Sequence, residues 1–253
     1  MARHRFYLAP AHWREERPEL SAKDAHHCTD VLRLGVGEHV VIFDGEGHEA
    51  TAELLDVNRK HVWLKIEHRT AALPPRCSIT LAQAVPKARN MDLIIQKGVE
   101  LGASAIMPIL SERTVLRLED AEDGIRKQER WQSIALEACK QSGQNWMPAI
   151  SPPRTIKDFL SDLPKKLAVD LFLIASLSSD AQPLQEILAS YRNKKGTLPT
   201  SVLIMVGPEG DFTPEETALA RSMGASAITL GSIILRTETA ALYCLSVLGY
   251  ELF

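Results

Sequence analysis

"SVLIMVGPEGDFTPEETA", residues 201–218, runs from an unbroken apolar stretch through a glycine-bearing turn into a helix start. The run Ser201–Val206 shows no polar–apolar alternation, which marks a parallel strand covered on both faces. Thr213 to Glu216 spells a capping box with Pro214 at the first helical position. The order is therefore strand, loop, helix, and ligands of open α/β sheets bind beyond the carboxyl ends of the strands. The loop carries neither of the glycine patterns that cradle nucleotide phosphates. Its charges are Glu209 and Asp211, which would repel a pyrophosphate. They would accept a nucleoside bearing positive charge, and S-adenosylmethionine, with a sulfonium and an ammonium, is one. A tight left-handed turn would equally account for Gly207 and Gly210. This loop alone leaves both readings open.

Around it the chain alternates strands and helices. "ITLAQAV" (79–85), "SAIMPIL" (104–110), "AVDLFLIAS" (168–176) and "ASAITLG" (225–231) read as strands. "MDLIIQKGVELG" (91–102) reads as a helix, and so does "ERWQSIALEACKQSG" (129–143), with Trp131, Ile134, Ala135, Ala138 and Cys139 on one face and Gly143 as its cap. An α/β domain with a parallel sheet is expected over residues 76–253. Residues 1–72 are β-rich: "HVVIFDGEGHEATAELLDVNRKHVWLKIE" (39–67) holds β-prone runs broken at Asp44-Gly45 and Asn58-Arg59-Lys60. "SAKDAHHCTDVLRL" (21–34) is a short helix capped by Ser21. A compact barrel with one helix fits that length, and Pro74-Pro75 stiffen the link.

The bulk numbers narrow the chemistry. Net charge is −3, so a nucleic-acid partner needs a local basic patch. No stretch approaches the roughly eighteen apolar residues that span a bilayer, and the N-terminus has no apolar signal core. The four cysteines are scattered without a paired motif, as expected of packed thiols in a reducing cytoplasm. All eight histidines fall at or before His68. Whatever chemistry the larger domain performs, it does without an imidazole of its own, and no metal site is expected.

"LGSIILRTETAAL" (230–242) supplies the second motif. Its run "SIIL" is too apolar for a bare surface loop, and Arg236 follows it at the start of the last helix. An apolar loop ending in an arginine, beside an acidic glycine loop, suits an adenine held on backbone groups with a cation aimed at a second substrate. The helix "TETAALYCLSVLGYELF" (237–253) is apolar nearly all round. It must be buried, and a second subunit is the obvious cover.

"GPEGDFTPEE" followed by "LGSIILRTETAAL" resembles the SPOUT methyltransferases, and within them the RsmE family. "RFYL" (5–8), "HHCTDVLRLGVGEHVVIFDGEG" (26–47), "PKARNMDLIIQKGVELGASAIMPILSERTV" (86–115) and "ERWQSIALEACKQSG" extend the likeness along the chain. The resemblance implies a PUA-like RNA-binding β-barrel followed by a SPOUT domain with a trefoil knot, a homodimer, and a cytoplasmic enzyme. The implied reaction is S-adenosylmethionine-dependent methylation of N3 of a uridine in 16S ribosomal RNA, within the small ribosomal subunit.

On this reading Gly207, Pro208, Glu209, Gly210, Leu230, Gly231, Ile234 and Leu235 hold the cofactor. Arg236 stabilises charge on the uracil, and Glu238 either takes a proton or, more in keeping with its position, caps the last helix. Arg5, Arg33, Lys87, Arg89 and Arg113 are the expected phosphate partners. The chain departs from the family at Asn90, Gln144, Trp146 and Ile233, where members often carry basic residues; these bear on the RNA grip. Two rivals stay open: another SPOUT activity such as ribose 2′-O methylation of transfer RNA, and a non-catalytic RNA-binding assembly factor.

Overall fold

The computed structural model describes residues 4–87, 90–166 and 169–253. They form two compact units. The smaller comprises the chain through Pro74 together with Leu136–Met147; the larger comprises Pro75–Ala135 and Pro148–Phe253.

In the smaller unit, β1 (Arg5–Tyr7), β2 (His39–Phe43), β3 (His48–Val57) and β4 (Val62–Ala71) form one sheet in that order. β1 joins β2 in parallel, and the remaining pairs are antiparallel. Pro18 and Leu20 extend the ladder along β4 through bonds to Leu64 and Val62. β3 alternates as a half-covered strand should, burying Ala50, Ala52 and Leu54. These pack with Phe6, Trp13, Cys28, Ile42 and Leu64 in one core. α1 (Ala22–His26) begins as expected, with the Ser21 hydroxyl accepting from the Asp24 amide, and then loosens into a π turn over His27–Val31.

The segment Leu136–Met147 is stitched into this unit by polar bonds. Lys140 Nζ lies 2.6 Å from buried Asp24. Asn145 Oδ1 accepts from Arg5 at 2.7 Å, the Gly45 carbonyl accepts from the Met147 amide, and the Trp146 indole N–H donates to the Leu73 carbonyl. Burial alone would raise the Glu137 carboxyl, but the hydrogen bond from Lys23 and the charge of Lys140 hold it below its ordinary value.

The larger unit runs β5 (Ser78–Ala84), α2 (Asn90–Glu100), β6 (Ala105–Leu110), α3 (Ala121–Ser142), β7 (Ala149–Ile150), β8 (Arg154–Thr155), α4 (Ile156–Lys166), β9 (Leu171–Ala175), β10 (Gln182–Pro183), α5 (Leu184–Lys195), β11 (Ser201–Val206), α6 (Pro214–Ser222), β12 (Ser226–Thr229) and α7 (Thr237–Leu252). The sheet order is β10-β12-β9-β11-β5-β6-β7, with β8 also pairing β6, and every pair is parallel. The central strands β9 and β11 are buried nearly throughout, as their unbroken apolar runs require. After β12 the chain returns to the sheet centre, where α7 packs on α2, β5 and β11. The resemblance assigns its knot to this return.

Candidate active site

β11 ends at Val206, and residues 207–212 cross its carboxyl end before α6 begins. The capping box is complete: Thr213 Oγ1 accepts from the Glu216 amide, and the Glu216 carboxylate accepts from the Thr213 amide. Glu216 also accepts from the Glu112 amide at 2.8 Å, tying the loop after β6 to the start of α6.

Of the two readings left open, the left-handed turn does not hold for these glycines, and close approach to backbone holds for Gly207. Neither Gly207 nor Gly210 has a positive φ; the residue that does is Asp211, at φ 60°. A Cβ on Gly207 would lie 2.8 Å from Asp211 Oδ1 and 3.2 Å from the backbone of Asp211 and Phe212. Asp211 Oδ1 caps the turn by accepting from the Phe212 amide at 2.7 Å. Glu209 accepts from the Lys87 backbone amide at 2.9 Å, so its carboxylate ties the segment that follows β5 to this loop.

Opposite stands the segment 230–237. Gly231 takes φ 110°, and a Cβ there would meet nothing within 4 Å. The two segments, with Ala175–Leu177 from the end of β9, enclose a cavity of about 270 Å³. Gly207, Pro208, Glu209, Asp211, Leu230, Gly231, Ile234, Leu235 and Arg236 all line it.

Gly210 does not face the cavity. Its carbonyl accepts from the Arg113 guanidinium, and a Cβ on it would meet Arg113 Cδ at 3.1 Å. Arg236 is exposed and is the N-cap residue of α7, without a side-chain cap bond. Glu238 does not cap the helix: its Oε2 accepts from Asn90 Nδ2 at 3.3 Å, and it does not line the cavity. Thr237 reaches back from the same turn, donating to the Gly207 carbonyl at 2.5 Å.

The cavity chemistry suits S-adenosylmethionine. Aliphatic side chains and backbone groups suit the adenine, and two carboxylates suit the cationic amino-acid end. Arg236 is the one basic residue that lines it among the described residues. Among the described residues no three His, Cys, Asp or Glu side chains gather as a metal site would require. Burial pushes the Cys139 and Cys244 thiols up to about 12, which disfavours the thiolate.

The expected phosphate partners divide between the two units, Arg5 and Arg33 in the smaller, Lys87 and Arg113 in the larger. Arg33 is exposed and adopts φ 56°, and Lys87 is exposed. Arg113 is exposed but bonded to Gly210. Arg5 is turned inward: its guanidinium pairs with Glu49 and Asn145 and lies 4.7 Å above the Phe43 ring. It is a strut of the small unit and offers little to a phosphate. Arg89 lies outside the described residues. Sequence reading missed Gln83 and Thr237, whose role shows only once β5, β11 and α7 are side by side.

Comparison with known proteins agrees with this arrangement. The chain matches the family model of an RNA methyltransferase domain over residues 73–249, and that of an RNA methyltransferase PUA domain over residues 20–67. It is 33% identical to ribosomal RNA small subunit methyltransferase E of Bacillus subtilis, over 94% of this chain and 92% of that protein. The structure of ribosomal RNA small subunit methyltransferase E from Neisseria gonorrhoeae, bound to S-adenosylmethionine, superposes with TM-score 0.85 at 32% identity, covering 99% of this chain and 98% of that one. A Legionella pneumophila methyltransferase, also solved with bound cofactor, superposes with TM-score 0.87 at 30% identity, over 99% and 98%. A chain that carries both domains in this order, with its acidic glycine loop and Arg236 on one cavity, belongs to the RsmE family of SPOUT RNA methyltransferases.

Proposed function

We propose that the protein methylates N3 of a uridine in 16S ribosomal RNA, in the small ribosomal subunit, with S-adenosylmethionine held in the cavity beside β11. The observation that carries this reading is a wall of aliphatic groups with the Glu209 and Asp211 carboxylates and with Arg236 at its edge. Relatives named for small-subunit ribosomal RNA methylation, one of them solved with the cofactor, support it.

Bound there, the cofactor supplies an electrophilic methyl group. The chain's own residues do the rest. Uracil N3 carries an imide proton, and its lone pair becomes available only as that proton leaves and charge settles on the flanking carbonyl oxygens. Arg236 pairs with those oxygens. It stays protonated throughout, so it is a poor base and a durable electrostatic partner. Glu238, bonded to Asn90 and away from the cavity wall, is not placed to take the proton, which passes to solvent water.

The protein acts as a cytoplasmic homodimer on this reading. Tyr243 and Tyr250 are exposed on α7, Phe253 is exposed just after it, and Leu93 is exposed on α2, which packs beside α7. Exposed apolar and aromatic side chains on two packed helices suit a partner subunit. Arg33 and Lys87 are the phosphate contacts, and RNA affinity falls with added salt.

Nucleoside mass spectrometry of ribosomal RNA tests the function. A strain deleted for the gene should lose 3-methyluridine and regain it on complementation. An unchanged 3-methyluridine level, or loss of a 2′-O-methyl nucleoside instead, would overturn the assignment.

A further inference from the structure

Gln83 stands at the carboxyl end of β5 and is wholly buried in an otherwise apolar region of the sheet. Its amide nitrogen donates to the Ala84 carbonyl at 2.8 Å and to Thr237 Oγ1 at 3.1 Å, and lies 3.4 Å from the Val206 carbonyl. Two carbonyls facing this end require a nitrogen there, because an oxygen would meet only acceptors. Thr237 has a single hydroxyl proton and gives it to the Gly207 carbonyl. It must therefore accept from Gln83. The relay runs one way, from the Gln83 amide through the Thr237 hydroxyl to Gly207.

The arrangement has a cost that apolar packing would avoid. Gln83 Oε1 is buried and accepts no hydrogen bond among the described residues. Orphaned acceptors of this kind are rare and call for a reason. The reason is at the relay's far ends. Gly207 opens the acidic loop, and Thr237 is the first residue of α7, directly after Arg236. The N-terminus of α7 has no side-chain cap of its own. It is held from outside, by a bond to the loop across the cavity.

We propose that Gln83 and Thr237 are positioning residues for methyl transfer: their relay locks the start of α7 to the glycine loop, and so fixes Arg236 against the opposite cavity wall. This rests on the reading of that cavity as the cofactor site. A single spacing between arginine and cofactor wall is what an in-line transfer needs, since small misplacements of a positioned group cost rate heavily.

The test compares Thr237→Val, Thr237→Ser and Gln83→Met with the unaltered full chain. Hydrogen exchange in the ligand-free protein reads the lock through the Ala240 amide, which bonds the Arg236 carbonyl at 2.8 Å. Calorimetry reads affinity for S-adenosylhomocysteine. Single-turnover transfer of labelled methyl to small subunits from cells lacking the modification reads the rate.

Thr237→Val should speed Ala240 exchange and slow transfer by about tenfold or more, about 1.4 kcal/mol in each, with affinity within about threefold. Thr237→Ser should restore both. Unchanged exchange at Ala240, or rate and affinity falling together with the melting temperature, would overturn the proposal. Should Thr237→Val not fold, Gln83→Met decides by the same split. An unaltered protein that binds no S-adenosylhomocysteine would defeat the cofactor reading instead, and the exchange measurement, which needs no ligand, still judges the relay.

Discussion

Arg236 is exposed at the head of α7 with no side-chain partner capping that turn, so its replacement should leave the fold intact. Arg236→Ala is expected to lose about a hundred- to a thousand-fold in turnover, the usual effect of removing one charge-stabilising donor. Calorimetry should show most cofactor affinity kept. Abolished binding would mean that the residue shapes the pocket rather than the reaction. The two loop glycines should separate cleanly. At Gly207 a Cβ would stand 2.8 Å from Asp211 Oδ1 beside fixed backbone, and overpacking of that kind costs about 1–3 kcal/mol. Gly207→Ala should weaken cofactor binding by about tenfold or more. Gly210→Ala meets only the flexible Arg113 side chain and should change affinity little. Equal losses at both positions would contradict this geometry. Much of this was legible in the residues: the acidic loop and the apolar run before Arg236 do line one cavity. Charge type alone did not reveal direction. Arg5 reads as a free cation in sequence but is consumed by Glu49, Asn145 and the Phe43 ring. Glu238 reads as a cap yet turns to Asn90. Such partners lie far off in the chain, and no local pattern encodes them.

At the scale of the element, α7 has two sides that hydropathy does not distinguish. Cys244, Leu245 and Leu248 are buried within the chain's own core, while Tyr243 and Tyr250 face outward, the latter 89% exposed. Charging the outer side is therefore the test of a dimer. Tyr250→Glu should give a folded species near the 28.0 kDa chain mass by sedimentation, where the unaltered protein sediments at about twice that. Leu245→Glu, in contrast, buries a charge and should unfold the chain. A well-behaved monomer without any substitution would remove the interface. The long apolar strands and α7 stand out in the sequence because burial on both sides suppresses polar residues. α3 was visible only from Glu129, because its first turns, "AEDGIRKQ", are polar and present no apolar stripe. β1 and β10 escaped for a different reason: strands of two or three residues owe their existence to a neighbour, not to their own propensity.

For the whole molecule, the boundary near Pro75 is not a place to cut. Residues 76–253 read as one domain in sequence, yet Leu136–Met147 pack with the smaller unit. A chain begun at Pro75 would leave Lys140 without Asp24, Asn145 without Arg5 and Trp146 without the Leu73 carbonyl. Unpairing the half-buried Lys140 is the costliest of these losses. Such a fragment should melt lower than the full chain and aggregate more readily in light scattering, even where it still binds cofactor. Equal stability would show that these bonds contribute nothing measurable.

The sharing of α3 between both units also sets an order of events during synthesis. The first β-rich segment leaves the ribosome early, but its last strut, Met147, follows only after β5 and β6, two of the eight strands of the larger sheet, have been made. β5, meanwhile, waits for β11 to arrive from much later in the chain. The smaller unit has all its residues once Met147 has emerged, whereas the larger must wait for the end of the chain. Nascent chains arrested before Met147 should therefore be more protease-sensitive in the β-rich segment than chains arrested beyond it, and the larger unit should mature late and slowly, as pairing between distant segments dictates.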